Sequence, residues 1–339
     1  MLTEFLILPL FVVVTSRLTM RLDNKRQKKM ANRNVNGVAC LEHRIYVLLT
    51  DAVSVFEDLE PFNCVTEVTI PRMKSLVDIA ACHKYACLYV TDRERSCISR
   101  LGIDHVSSEV IQKISSPYTL SVSGDGNIVT VRWGKPSSVE IYRPDALLLN
   151  NIILDPTVVL PYHAVQTSIR TIVLSHGGKD NRTHRVLELS LKGEILRSYP
   201  ANNQLNGDLN CPVHLALDVQ NRVFVADFYN GIVIMLRKDR ELGWLLVVEP
   251  RDGVQRPSRL CYLADRKMLF LVNGNKSVDI YTLEETELEA GRSESVGTLA
   301  RRPVTSPAAV ELGHINPVME MTRPNSLQQS ETFTTSSRF

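Results

Sequence analysis

The chain has 339 residues, 44% of them hydrophobic, enough for a large core, and a net charge of only +2. That balance gives neither the global basic footprint of a nucleic-acid-binding protein nor the acidic solvating character of a highly charged chain. Its seven cysteines, Cys40, Cys64, Cys82, Cys87, Cys97, Cys211 and Cys261, contain no C-x-x-C pair. A zinc ribbon or RING-type site needs two thiolates presented by one turn, so that class is excluded, and the thiols read as small buried hydrophobes.

In chain order, the first feature is the apolar run FLILPLFVVV, Phe5 to Val14. Ten residues are too few to span a bilayer. They match the h-region of a signal peptide, with Val14 and Ser16 placed before a cleavage point, although the leader MLTE carries Glu4 and no cation. A buried strand is the other reading. Residues 17–35 follow as a basic stretch, with Arg17, Arg21, Lys25, Arg26, Lys28, Lys29 and Arg33 against Asp23. This is expected to be a solvated linker, or a segment that touches phosphates or anionic lipid.

Six similar units then succeed one another. The first is GVACLEH, RIYVLLTD, AVSVFED; the second LVDIAAC, CLYVTD, CISRLGID; the third YTLSVSGDGNIVTVRWG and SVEIYRPD. The fourth is TIVLSHG and HRVLELSLKGEIL; the fifth CPVHLALDVQNRVFVADFYNGIVIML, with Trp244 to Val248 as its last strand; the sixth RLCYLAD, MLFLVNG, SVDIYTL. Each is a run of short apolar strands broken by Gly, Asn and Asp turns, which tolerate the backbone conformations that hairpins need. The second strands end near Leu49, Asp92, Arg132, His176, Asp227 and Asn273. A period of about 40–50 residues with three or four strands per unit predicts a β-propeller. The sixth unit has three clear strands, so its outer fourth strand is expected from the N-terminal region, before or around Asn32 to Asn36. From residue 291 the chain is rich in Ser, Thr, Pro and Gln and is expected to be a disordered tail.

The organisation expected is therefore residues 1–16 as signal peptide or apolar leader, 17–35 as linker, 36–290 as propeller and 291–339 as tail. The fold class is all-β, a six-bladed propeller of four-stranded antiparallel blades. Pro212, Leu215-Ala216-Leu217-Asp218, Val223-Phe224-Val225-Ala226-Asp227, Asn230 and Val233 resemble the NHL repeat. The match is good in the fifth unit, moderate in the second, and degenerate in the first and fourth. The resemblance is to the C-terminal propeller of the TRIM-NHL proteins, which binds protein or RNA; the RING, B-box and coiled-coil segments of that family are not in this sequence.

His214 stands where an inner strand faces a propeller's channel. The Pro-x-His element Pro212-Val213-His214 is similar to a zinc-ligand element of the amidating lyases, which share the propeller. His163 is the only second ligand expected, whereas catalytic zinc needs about three protein ligands. Asp78 is a carboxylate for a calcium site of the lactonase-like propellers, without the Asn and Glu partners such a site uses. A channel-lining, hydrogen-bonded role for both histidines is favoured. Asp218 and Asp227, beside turns, read as turn caps. No G-x-S-x-G elbow, P-loop or G-x-G-x-x-G element occurs.

Two functional readings follow. The favoured one is a non-enzymatic interaction module, monomeric and without cofactor, that binds a protein partner, or RNA, through its loop rim. Its anchors would be Arg93, Arg95, Arg132, Trp133, Phe228 and Tyr229, at equivalent loop positions of successive units. The alternative is a metal-dependent propeller enzyme, lyase-like or lactonase-like, with zinc or calcium in the channel. A cytoplasmic location is favoured. If the leader directs secretion instead, the sequons at Asn181 and Asn275 become glycosylation candidates.

Overall fold

The structure, a computed structural model, describes residues 17–29, 33–58, 61–70, 75–103, 108–113, 117–178, 183–200, 209–236, 244–248 and 252–288. All fall within the unit Met1–Gly291. The expected leader, the expected tail and the Asn181 sequon lie outside them. Among the described residues, no helix is long and apolar enough to cross a membrane.

Six four-stranded antiparallel sheets form the six blades. Blade one runs β2 (Val35–Leu41), β3 (Arg44–Leu49), β4 (Ala52–Glu57), β5 (Cys64–Thr69). Blade two is β6 (Leu76–Cys82), β7 (Cys87–Asp92), β8 (Cys97–Gly102), β9 (Ser108–Lys113). Blade three is β10 (Pro117–Val122), β11 (Ile128–Arg132), β12 (Ser138–Tyr142), β13 (Leu148–Ile153). Blade four is β14 (Pro161–Gln166), β15 (Ile172–His176), β16 (Arg185–Leu189), β17 (Ile195–Tyr199). Blade five is β18 (Pro212–Leu217), β19 (Val223–Asp227), β20 (Ile232–Leu236), β21 (Trp244–Val248). Blade six is β22 (Pro257–Leu263), β23 (Met268–Asn273), β24 (Ser277–Leu288) and, outermost, β1 (Arg17–Lys29). The second strands end at the six residues that the repeat pattern marks.

The stretch expected to be a linker is thus a strand. β1 pairs antiparallel with β24 from Arg17↔Leu288 to Lys29↔Ser277, with a register shift between Leu22 and Asn24. An outer blade strand is an edge, where charged residues are tolerated because one side faces no further strand. The pairing also sets Arg21 opposite Glu284. The closing strand therefore lies before Asn32, and it joins the N-terminal end of the unit to its last blade.

Blade faces are buried in alternation, as period-two side chains require. In β3, Ile45, Val47 and Leu49 pack with Phe270, Val272, Val278 and Ile280 of blade six. The intervening Tyr46 and Leu48 pack with Leu76, Ile79, Leu88 and Val90 of blade two. Similarly, Ile172 and Leu174 of β15 face blade three, while Val173 faces blade five. Both faces of each blade are covered by neighbours, so the strands read as nearly continuous apolar runs. The ring closes through packing of β2 against β22 as well as against β6.

Trimming residues 1–29 should lower the unfolding free energy by roughly 3 kcal/mol or more, since each lost strand hydrogen bond is worth about 0.5–1.5 kcal/mol. Urea unfolding of the trimmed and full chains measures this; superimposable transitions would exclude β1 as the closing strand.

Candidate functional site at the centre of the ring

The inner strand of every blade carries a β-bulge near its start, between Val35 and Gly37, Leu76 and Asp78, Pro117 and Leu120, Pro161 and His163, Pro212 and His214, and Pro257 and Arg259. A bulge re-aims the side chains beside it. Two residues past each strand start stand Gly37, Asp78, Thr119, His163, His214 and Arg259. Most of these positions reach the inner strand of the following blade.

The contacts run around the ring. Asn36 Nδ2, beside Gly37, donates to the Leu76 carbonyl at 2.6 Å. A Cβ on Gly37 would lie 2.8 Å from Ile79 Cγ2, so only glycine allows this approach. Asp78 Oδ2 accepts the Leu120 N–H at 3.0 Å, and its Oδ1 accepts the Ile79 N–H at 3.1 Å. Thr119 Oγ1 donates to the Tyr162 carbonyl at 2.6 Å. His163 Nδ1 accepts the Leu215 N–H, and His214 Nδ1 accepts the Leu260 N–H, each at 3.3 Å. Arg259 reaches across to blade two, with Nη2 on the Val77 carbonyl at 3.4 Å and Nε 3.3 Å from Asp78 Oδ1.

Asp78, His163 and His214 thereby converge, with one potential ligand atom from each lying within 4.8 Å of the others. They are 1%, 1% and 6% exposed. The two imidazoles stack with centroids 3.8 Å apart. His163 Nε2 lies 3.3 Å from the Leu120 carbonyl, and His214 Nε2 lies 3.8 Å from Asp78 Oδ2. Since both Nδ1 atoms accept amide protons, both rings carry their own proton on Nε2.

Electrostatics agree with neutral rings. Burial, reinforced by His214, holds His163 well below the ordinary imidazole value. Burial also lowers His214, opposed by the neighbouring Asp78. Burial by itself would raise the Asp78 carboxyl, but the Arg259 guanidinium and the His214 N–H outweigh it and hold it below the usual carboxylate range. The centre is therefore one carboxylate, one guanidinium and two uncharged imidazoles, so its formal charges balance.

The two histidines expected in the channel are both there and both hydrogen-bonded. Asp78, expected separately as a carboxylate for calcium, joins the two histidines, with Arg259 as a cation beside it. The fragments LVD, PYT, PYH, PVH and PSR, aligned on the strand start, carry the signal that these residues share one ring.

The expected rim anchors divide. Because each blade is antiparallel, the hairpins between second and third strands lie at one end of the ring, together with the crossovers between blades. Arg93 and Arg95 are exposed there, and Tyr229 is 44% exposed. Phe228 is not an anchor: it is 4% exposed, and its ring meets Tyr229 edge-on at 5.0 Å. Trp133 is half-buried, donates from Nε1 to the Pro161 carbonyl at 2.6 Å, and packs on the core shared by blades three and four. Arg132 is paired with Glu140 at 2.8 Å. Aromatic side chains near a blade end gain more from burial than from solvent, which is why two of the three aromatics among the six turn inward. The fold supplies Arg256 instead, exposed on a crossover with its guanidinium 5.9 Å above the Phe228 ring. Asn275 is half-buried, and its side-chain oxygen accepts the Ser258 hydroxyl at 2.9 Å. Asp218 caps its turn as expected, accepting the Gln220 N–H at 2.8 Å, whereas Asp227 accepts the Asn210 N–H of the preceding crossover at 2.8 Å and the Asn230 side-chain amide of its own turn at 2.7 Å.

No family model and no curated protein matches the chain. Among solved structures, it is similar to a gluconolactonase from Xanthomonas campestris (14% identity, 78% of this chain and 91% of that chain, TM-score 0.58). It is also similar to a streptogramin B lyase (8%, 77% and 98%, TM-score 0.56) and to a chain of a nidogen/laminin complex (16%, 72% and 97%, TM-score 0.54). At these identities the likeness is one of fold alone.

His163→Leu should cost about 1–3 kcal/mol at neutral pH, because it strands the buried Leu215 N–H. A depressed histidine contributes stability above its unfolded pKa of about 6.5 and loses it as pH falls below that value. The gap between wild type and variant should therefore narrow from pH 7.5 to pH 5. Asp227, whose carboxyl burial raises to about 7, titrates in the same window with the opposite sign but cancels in the difference. A gap that stays constant, read by urea unfolding at both values, would rule out a neutral, buried His163.

Proposed function

We propose that this propeller is a non-enzymatic interaction module whose central histidines hold blades together, and whose hairpin end binds a protein partner. The observation carrying this is the amide proton on each Nδ1. A metal-ligating histidine offers one nitrogen to the metal and ordinarily donates an N–H from the other. Here Nδ1 is consumed as an acceptor and Nε2 holds the proton, so neither ring presents a lone pair. Arg259 adds a positive charge where a cation would sit. The residues do not fit zinc or calcium.

The partner-binding side rests on Arg93, Arg95, Tyr229 and Arg256, which lie at the same end of the ring as the blade crossovers. Arg and Tyr are the residue types that most often anchor protein interfaces. Two of the four lie on blade two and two on blades five and six, so a partner spanning that end would meet a rigid, broadly spaced set. A protein rather than RNA fits better: Arg93 and Arg95 are interrupted by Glu94, and the aromatics needed for base stacking are largely turned inward. The NHL character of the fifth blade agrees with this reading.

Affinity capture with the whole chain tests it. Arg93→Glu with Arg95→Glu, and separately Tyr229→Ala, should each lower capture of bound protein about tenfold while leaving the thermal midpoint unchanged. That factor corresponds to the roughly 1.4 kcal/mol expected of an interface anchor. Unaltered capture would eliminate this end of the ring, and stoichiometric zinc or calcium by elemental analysis of the purified chain would overturn the non-enzymatic reading.

A further inference from the structure

The hairpin between β6 and β7 holds two cysteines face to face. Cys82 and Cys87 are the last directly opposed pair of that ladder. The chain between them makes a single 3-10 turn, His83–Tyr85, and returns through Ala86 in the left-handed region at φ 44°. Directly opposed antiparallel residues have Cα atoms about 4.5–5.5 Å apart. That lies inside the span of about 4.4–6.8 Å that a disulfide bridges without backbone movement. Both thiols are buried, Cys82 fully, in an apolar cluster with Tyr89, Ile98, Leu120 and Ile128. The three turn residues above them are exposed.

We propose that Cys82 and Cys87 form a redox-active dithiol, converted to an intramolecular disulfide by a low-molecular-weight disulfide such as oxidised glutathione.

The pair is chemically asymmetric. Cys87 and the backbone N–H groups of Tyr85 and Lys84 donate toward the Cys82 sulfur and hold its thiol below the ordinary value. The same partnership pushes Cys87 up. Since both thiols are buried, exchange requires the exposed turn at residues 83–85 to open; Cys82 is then the attacking thiolate and Cys87 the resolving thiol. Cys211 and Cys40 differ: burial pushes Cys211 up to about 12, and burial together with the neighbouring Cys261 thiol raises Cys40. Cys64 is exposed and lies elsewhere, on β5.

The steps balance without another reactant. The Cys82 thiolate attacks one sulfur of oxidised glutathione, its S–S bond breaks, and one glutathione thiolate leaves. Cys87 gives its proton to that thiolate and attacks the Cys82 sulfur, expelling the second glutathione as thiolate, which takes a proton from solvent. Two protein thiols lose two electrons and two protons, and one glutathione disulfide becomes two glutathiones.

The bond would stiffen the hairpin that seats blade two on blade three. Lys84 Nζ donates to the Asp125 carbonyl at 3.0 Å, and the Tyr85 ring lies against Gly126, where a Cβ would come within 2.6 Å of it. This contact lies at the opposite end of the ring from Arg93 and Tyr229, so the dithiol stands apart from the proposed partner surface.

The whole native chain, incubated with oxidised glutathione, alkylated and mapped by mass spectrometry, decides the matter. The expected product joins the Cys82 and Cys87 peptides with loss of two hydrogens and reverts with dithiothreitol, while Cys211 stays a thiol. Cys87→Ser should stop at a glutathione adduct on Cys82. A native chain in which Cys64 gains an adduct while Cys82 and Cys87 both stay reduced would overturn the proposal, with or without a folded variant.

Discussion

The seating of each blade on the next depends on polar contacts at the centre of the ring. A propeller blade is a small sheet that cannot stand alone, and its faces are buried only when neighbours are present on both sides. Apolar packing supplies most of the attraction but little direction. Direction comes from the inner strand starts, where Asn36, Asp78, Thr119, His163 and His214 each grip the backbone of the next blade. Each grip satisfies a buried N–H or C=O that would otherwise be costly to leave unpaired. The bulge at each strand start makes the arrangement repeat, since it turns the same position inward in every blade.

That constraint also governs the chemistry of the centre. A histidine that accepts an amide proton on Nδ1 cannot also offer Nε2 to a cation. Three potential ligand residues lie close together while both imidazole Nδ1 atoms accept amide protons from neighbouring blades. Asp78 remains charged in a buried place because Arg259 stands beside it, and breaking that pair would leave an uncompensated charge. The same fold elsewhere holds enzymes, so fold alone does not choose between the readings. The hydrogen-bond direction at two imidazoles is what supports the proposed interaction module.

The outer margin follows a different rule. Blade six takes its last strand from residues 17–29, and this segment is rich in Lys and Arg because an outer edge strand faces no further sheet. A run of charge looks like a linker when read locally. It becomes a strand only where a partner of matching length, β24, offers its open edge. The same reasoning explains Phe228 and Trp133: each sits at a loop position that suggests exposure, yet Phe228 is buried beside Tyr229 and Trp133 is claimed by blade four.

The repeat was legible in the sequence because it is a local property. Alternating apolar letters and Gly, Asn and Asp turns mark strands and hairpins within a few residues, and the six second-strand ends fall where the pattern places them. His163 and His214 could be assigned to the channel for the same reason, from their distance past a strand start. Which atoms meet was decided only by tertiary structure. Asp78 and Arg259 are 181 positions apart, and β1 and β24 stand at opposite ends of the described chain. No local pattern encodes a distance across a closed ring; the angle between successive blades sets it, and that angle exists only after all six have packed.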